Sequence, residues 1–158
     1  MDFLGVTETE MIMQLLLAAF LGAVIGVERE FAQKMAGMRT HSLVCLGSAL
    51  FSIISSLPII SGTVDPTRIA AQVVTGIGFL GGGIIVFSQR DEKVRGLTTA
   101  ASIWLSAAIG MAVGFHLYLV ATFVTILSIT ILVVFWSIEQ KVIKPLAGRQ
   151  RQGEDGTE

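Results

Sequence analysis

A single cysteine in 158 residues leaves this chain no means of closing an intramolecular disulfide. Cys45 lies inside an apolar run and reads as a small core residue. Charge is scarce as well. Only 15% of residues are charged, and a formal net charge of −1 provides no basic field for nucleic acid. No group of His, Asp and Glu residues falls at metal-ligand spacing. No acidic residue sits in the middle of an apolar run, so a divalent cation would find no charged ligand there. The residues before the first run are acidic where a secretory leader would be basic, so that run reads as a retained helix.

Apolar residues fill the chain instead. They make up 53% of it, and the mean hydropathy of +0.75 leaves no room for a separate soluble domain. Five segments stand out: Met11–Val27, Ser42–Ile60, Ile69–Ser88, Thr99–Phe115 and Leu117–Trp136. Each is near the ~20 residues that a helix needs to cross a bilayer. Their apolar character is continuous rather than alternating, which argues for helices over a β-barrel. The expected fold is all-α: a polytopic membrane protein with five transmembrane helices. Residues 1–144 would form one domain, followed by a short cytoplasmic tail, 145–158, of disordered composition. Asp65-Pro66 reads as the cap and first position of the third helix. Thr40 and Thr98 are placed to cap the second and fourth. Pro58 falls near the outer end of the second, and the fifth is expected to run on through Ser137–Lys144 and stop before Pro145.

Five crossings sort the basic residues. Arg29, Lys34, Arg39, Arg90, Lys93, Arg95, Lys141, Lys144, Arg149 and Arg151 fall on one side, and only Arg68 on the other. Basic loops stay cytoplasmic, so the N-terminus is expected outside and the C-terminus inside. His41 and His116 then lie on opposite faces, each as an interfacial histidine.

A shift of 59 residues places Phe20-Leu21-Gly22 on Phe79-Leu80-Gly81, Lys34 on Lys93, Gly37 on Gly96 and Thr40 on Thr99. This reads either as a duplicated helical hairpin with one helix added, or as chance similarity between glycine-rich helices. The run Gly76-Ile77-Gly78-Phe79-Leu80-Gly81-Gly82-Gly83 contains a literal GxGxxG, but it lies within an apolar segment with no strand before it, which excludes a dinucleotide fingerprint. Two readings remain: close packing of helices at Gly22, Gly26, Gly76, Gly78, Gly81 and Gly82, or a helix opened to expose carbonyls. Glu28-Arg29-Glu30 is either an interfacial stop signal or one half of a pairing with Arg39 or Arg95. Arg68 and Gln72 lie one turn apart on one face.

Four stretches, LGAVIGVERE (21–30), AGMRTHSLV (36–44), DPTRIAAQVVTGIGFLGGGII (65–85) and VRGLTTAASIWLSAAIG (94–110), resemble successive blocks of the MgtC/SapB family of bacterial inner-membrane proteins. The resemblance runs over residues 12–136. It implies a multi-pass inner-membrane protein with about five helices and a cytoplasmic C-terminus. It also implies a link to magnesium homeostasis, stress adaptation and virulence, and a regulator that binds other membrane proteins, the ATP synthase among them. Longer members carry a soluble domain after the last helix; here residues 137–158 follow it, which resembles a short form. The family's basic residues after the ERE block are replaced by Phe31-Ala32-Gln33, and its usual GAG is Gly81-Gly82-Gly83.

The residues that stand out within these blocks form a candidate functional polar cluster: Glu28, Arg29, Glu30, Arg39, Thr40, Asp65, Arg68, Gln72, Arg95, Thr98 and Thr99. The expected function is regulation or binding of ion-handling membrane complexes under magnesium or acid stress. The competing reading is a small-ion transporter or channel, for Mg²⁺ or another ion, with carbonyls of the glycine run as ligands. An enzyme is the weakest reading, and no cofactor is expected. Expected partners are the lipid bilayer, a second copy in a homodimer and other membrane proteins. The topology is testable in cells stripped of the outer-membrane barrier. An impermeant thiol reagent is expected to label a Val64→Cys variant and to spare Met35→Cys and Val94→Cys; labelling at position 35 overturns the orientation.

Overall fold

The computed structural model describes residues 2–3, 6–57, 67–88 and 93–143. Five helices dominate: α1 (Glu8–Phe31), α2 (Met38–Ser56), α3 (Thr67–Ile84), α4 (Leu97–Gly114) and α5 (Tyr118–Ile138). Two short antiparallel ribbons accompany them. One pairs β1 (Asp2–Phe3) with β2 (Val6–Thr7), and the other pairs β3 (Val86–Ser88) with β4 (Lys93–Arg95) in the register Phe87 opposite Val94. The chain forms two compact units, Met1–Thr125 and Ile126–Glu158. In the second unit α5 runs on to Ile138 and ends in a π-helical turn, Glu139–Ile143.

The chain is all-α and multi-pass in character. α1, α2, α4 and α5 are long and apolar enough to cross a membrane, while the apolar stretch Arg68–Ile84 of α3 is shorter. The third segment was expected to stay helical to Ser88. It ends at Ile84 and leaves through β3. Three successive glycines, 81–83, weaken the last turn, and the β-branched Ile85 and Val86 favour the extended ribbon. The 18 residues of α3 span about 27 Å, slightly less than a ~30 Å hydrocarbon core.

Helix ends follow local chemistry. Thr7 caps α1 in a reciprocal box with Glu10, and Glu8 and Glu10 lie in the first turn where the helix dipole favours them. Thr40 and Thr98 are not caps. α2 begins at Gly37 and α4 at Gly96, so both threonines fall inside their helices. Gly96 holds φ 90°, and a Cβ there would strike the Ile84 carbonyl oxygen, so only glycine allows α4 to start this early. The cap expected at Asp65-Pro66, Pro58 near the end of the second helix, Pro145 as the stop of the fifth and the tail 145–158 lie outside the described residues.

Within the first unit α2 is the central element, with α1 and α4 packed against it. The contact is made by small residues spaced by four. On α1 these are Ala18, Gly22 and Gly26, in line with Gln14; on α4 they are Ser102, Ser106, Gly110 and Gly114. A Cβ on Gly22 would lie 2.5 Å from the His41 carbonyl oxygen and 2.9 Å from Cys45 Cβ. One on Gly26 would strike Met38, one on Gly110 the Cys45 backbone, and one on Gly114 would lie 2.5 Å from Ser52 Cβ. Backbones approach this closely only where side chains are absent, the usual basis of helix association in lipid. α3 packs on α4 through Ile77, which meets Ile103 and Ala107, with Val44 and Val73 alongside.

The packing glycines expected from sequence therefore divide. Gly22 and Gly26 are close-approach positions. Gly81 has only ordinary contact with Ala100, and Gly76, Gly78 and Gly82 meet nothing within 4 Å among the described residues. The run remains helical rather than opened. Substitution separates the two groups. Gly22→Ala and Gly110→Ala are each expected to cost about 1–3 kcal/mol through overpacking. Gly76→Ala and Gly78→Ala are expected to be neutral or to gain up to ~1 kcal/mol of helix propensity. Thermal unfolding of the four purified variants checks this, and a loss at Gly78 equal to that at Gly22 contradicts the assignment.

Candidate functional site

The end of α1 and the start of α2 bring together buried and half-buried charged side chains. Arg29 is 2% exposed although it belongs to the last turn of its helix. Its Nη2 donates to Glu28 Oε1 at 2.8 Å, and its Nε donates to Glu28 Oε2 at 2.5 Å. The pair is bidentate, between sequence neighbours, and half-buried on the Glu28 side. Glu30, next along, is exposed. Its Oε2 accepts from the Met38 backbone N–H at 3.1 Å and so ties the two helices across the turn.

His41 faces inward one turn into α2. It was expected at the membrane interface; it is fully buried. The reason is the small-residue contact on either side, which leaves no path for the ring to reach a headgroup. Its Nε2 lies 3.4 Å from Ser102 Oγ. The Ser102 hydroxyl also reaches the Thr99 carbonyl oxygen, to which it donates at 2.8 Å. His41 Nδ1 and Arg29 Nη1, a guanidinium donor, are buried without a hydrogen-bond partner among the described residues. The charges of Arg29 and Glu28 both bear on the ring. Two buried nitrogens without partners among the described residues thus lie at the junction of α1, α2 and α4.

Polar groups continue inward from there. Cys45 Sγ donates to the Ser106 carbonyl oxygen at 2.8 Å, and Ser106 Oγ to that of Ser102 at 3.0 Å. Ser48, Ser52 and Ser55 are buried on α2, where Ser52 Oγ returns to the Ser48 carbonyl oxygen at 2.9 Å. Near the far end of α1, Gln14 Nε2 donates to the Val113 carbonyl oxygen at 3.2 Å and to Tyr118 Oη at 3.0 Å, while its Oε1 stays unpartnered among the described residues. Cys45 is a free, buried thiol, as its apolar surroundings indicated.

The cluster expected from sequence is only partly assembled. Glu28, Arg29 and Thr99 lie at the junction; Thr99 is 4% exposed. Arg39, Thr40, Arg68, Gln72, Arg95 and Thr98 are exposed, and Gln72 lines an open groove of about 540 Å³ between α2 and α3 with Ser48, Phe51 and Gly76. Asp65 lies outside the described residues. The acidic partner of Arg29 is Glu28 itself rather than a residue of another helix. His41, Gln14, Ser102 and Ser106 were missed. One signal could have found three of them: Gln14 heads the four-residue ladder of α1, and Ser102 and Ser106 head that of α4. Among the described residues, no three His, Cys, Asp or Glu side chains are placed to hold a metal ion.

The MgtC family model matches residues 15–141. The chain belongs to the MgtC family. Among curated relatives, YhiD of Escherichia coli (strain K12), described as a candidate magnesium transporter, is 46% identical over 132 residues, 80% of this chain and 60% of that protein. Protein MgtC of Brucella abortus (strain 2308) is 48% identical over 72% of this chain and 46% of its own length. Protein MgtC of Salmonella typhimurium (strain 14028s) is 52% identical over 65% and 42% respectively. The chain thus spans about half the length of the curated relatives it matches. No solved structure matches it.

The Glu28–Arg29 pair generates a double-mutant test. Arg29→Met leaves a half-buried carboxylate unpaired, and Glu28→Gln leaves a buried guanidinium unpaired, each costing about 3–5 kcal/mol. The double variant Glu28→Gln/Arg29→Met is expected to lose less than the sum of the two. Denaturant unfolding in detergent reads the difference, and strict additivity contradicts the pairing.

Proposed function

We propose that this MgtC-family chain is a multi-pass inner-membrane protein that binds and regulates ion-handling membrane complexes under magnesium or acid stress. The observation that carries this reading is the uncovered face of α3. Gly76, Gly78, Gly82 and Gly83 meet nothing within 4 Å among the described residues, Gln72 and Thr75 are exposed beside them, and the groove against α2 is open. Phe79, 83% exposed, stands among these glycines, whereas α5 exposes bulky apolar side chains at successive turns, as at Leu119, Phe123 and Ile126. A face of glycines around one ring, with an amide beside it, is the kind that accepts a neighbouring helix. A second copy or a partner such as the ATP synthase, which the family resemblance suggests, would fill it. The charge bias supports an N-terminus outside and a C-terminus in the cytoplasm. No cofactor or enzymatic step enters this reading.

Transport is the second reading, favoured by one observation: the buried polar series of His41, Ser48, Ser52, Ser102 and Ser106 between apolar helices. A relative whose name concerns magnesium transport adds to it. Flux into sealed proteoliposomes of the purified chain, with Mg²⁺, K⁺, H⁺ and phosphate in turn, separates the two. The regulatory reading expects no flux above protein-free vesicles, together with photo-crosslinking to a membrane protein from a probe at Gly78 in cells. Saturable flux that is lost in a Ser102→Val variant supports the transporter and overturns the regulator.

A further inference from the structure

The turn joining α1 to α2 carries five charged side chains from Glu28 to Arg39, and the fold uses three of them internally. Arg29 is buried against Glu28, and Glu30 is bonded to the Met38 amide. Lys34 and Arg39 remain. Both are exposed, and neither side chain forms a hydrogen bond or ion pair with a described residue. Exposed apolar side chains neighbour them along the chain: Phe31 is 86% exposed, Met35 67% and Met38 43%. A recess of about 310 Å³ lined by Val27, Glu30, Phe31 and Met38 opens between the helix ends. In the turn Gln33 takes φ 53° and the Lys34 backbone N–H donates to the Arg29 carbonyl oxygen at 2.9 Å, which ties Lys34 to the end of α1, while Arg39 stands in the first turn of α2.

Two free cations beside an exposed aromatic ring and two thioethers, at the end of spanning helices, match one chemistry: a phosphodiester joined to acyl chains. We propose that this turn binds an anionic phospholipid, with Lys34 and Arg39 on its phosphate and with Phe31, Met35 and Met38 against its glycerol and upper acyl carbons. A zwitterionic lipid presents its own cation to Lys34 and Arg39 and fits less well. The Glu30 carboxylate opposes the anion but is turned to the Met38 amide. The site depends on the membrane character of the chain and on neither functional reading.

Native mass spectrometry of the intact chain, released from detergent with phosphatidylglycerol or phosphatidylcholine of equal chain length, tests the proposal. The wild type is expected to retain phosphatidylglycerol preferentially. Lys34→Gln and Arg39→Gln are each expected to weaken that retention about five-fold, at about 1 kcal/mol per cation, and Glu30→Gln to strengthen it while keeping an acceptor for the Met38 amide. Arg68→Gln, which removes an exposed cation elsewhere, is expected to change nothing, and unchanged melting temperatures show that the variants fold. Equal retention of the two lipids, an equal loss in Arg68→Gln, or undiminished binding in Lys34→Gln/Arg39→Gln overturns the proposal. Displacement of the lipid by inorganic phosphate identifies a free-anion site instead and also overturns it.

Discussion

The fold depends on how closely three backbones approach each other. α2 touches α1 and α4 at distances that leave no space for a Cβ at Gly22, Gly26, Gly110 or Gly114. In water such contacts would be secondary to the burial of large side chains. In lipid the surroundings are as apolar as leucine, so dispersion between close surfaces and hydrogen bonds between helices drive association. The composition of the interface follows from this. Where the backbones come closest the contact is lined by alanine, serine, cysteine and glycine, with Leu21, Ile25, Ile53, Ile103 and Ile109 buried beside it, while Leu119, Phe123 and Phe79 lie on the outside.

That close contact also determines which polar groups are buried. A small-residue seam admits hydroxyls that bond back to their own helix, as Ser52 and Ser106 do, because a serine is no wider than the contact allows. The same seam traps His41 and Arg29. An arginine one turn from the end of a helix would ordinarily extend to the interface. Here it turns inward and is neutralised by its neighbour Glu28. Each of these groups is expensive to hold in place, and they gather where α1, α2 and α4 meet. The junction is therefore where three helices share the burial of polar side chains.

Much of this was legible in the sequence. Continuous apolar segments of near-spanning length gave five helices, but the first was expected from Met11, and the capping box of Thr7 with Glu10, which starts α1 at Glu8, was not read. The Glu28–Arg29–Glu30 motif marked the right place, but its internal pairing was hidden because neighbouring residues on a helix do not normally face each other. The glycines were legible only in part. Gly22 and Gly26 were expected to pack closely and do, but the denser run in α3 was expected either to pack or to open the helix, and it does neither, while Gly110 and Gly114 on α4 supply the remaining close contacts. Density is visible in a string of letters; which face a glycine occupies, and what stands opposite, is not. His41 was missed for the same reason. Its polar neighbours Arg39 and Thr40 are exposed, and only the helical phase turns the imidazole inward.

The central claim is that α2 lies between α1 and α4 on the side marked by Cys45. The native chain has one thiol, so its reactivity reports on that contact directly. A hydrophobic, membrane-permeant maleimide should leave Cys45 unmodified in the folded protein and label it only as the chain unfolds on heating. A cysteine placed at Leu43, on the same helix but 67% exposed, should react under native conditions when Cys45 is replaced by alanine. Rapid and complete labelling of Cys45 in the folded wild type, at the rate of the Leu43→Cys variant, would contradict the account.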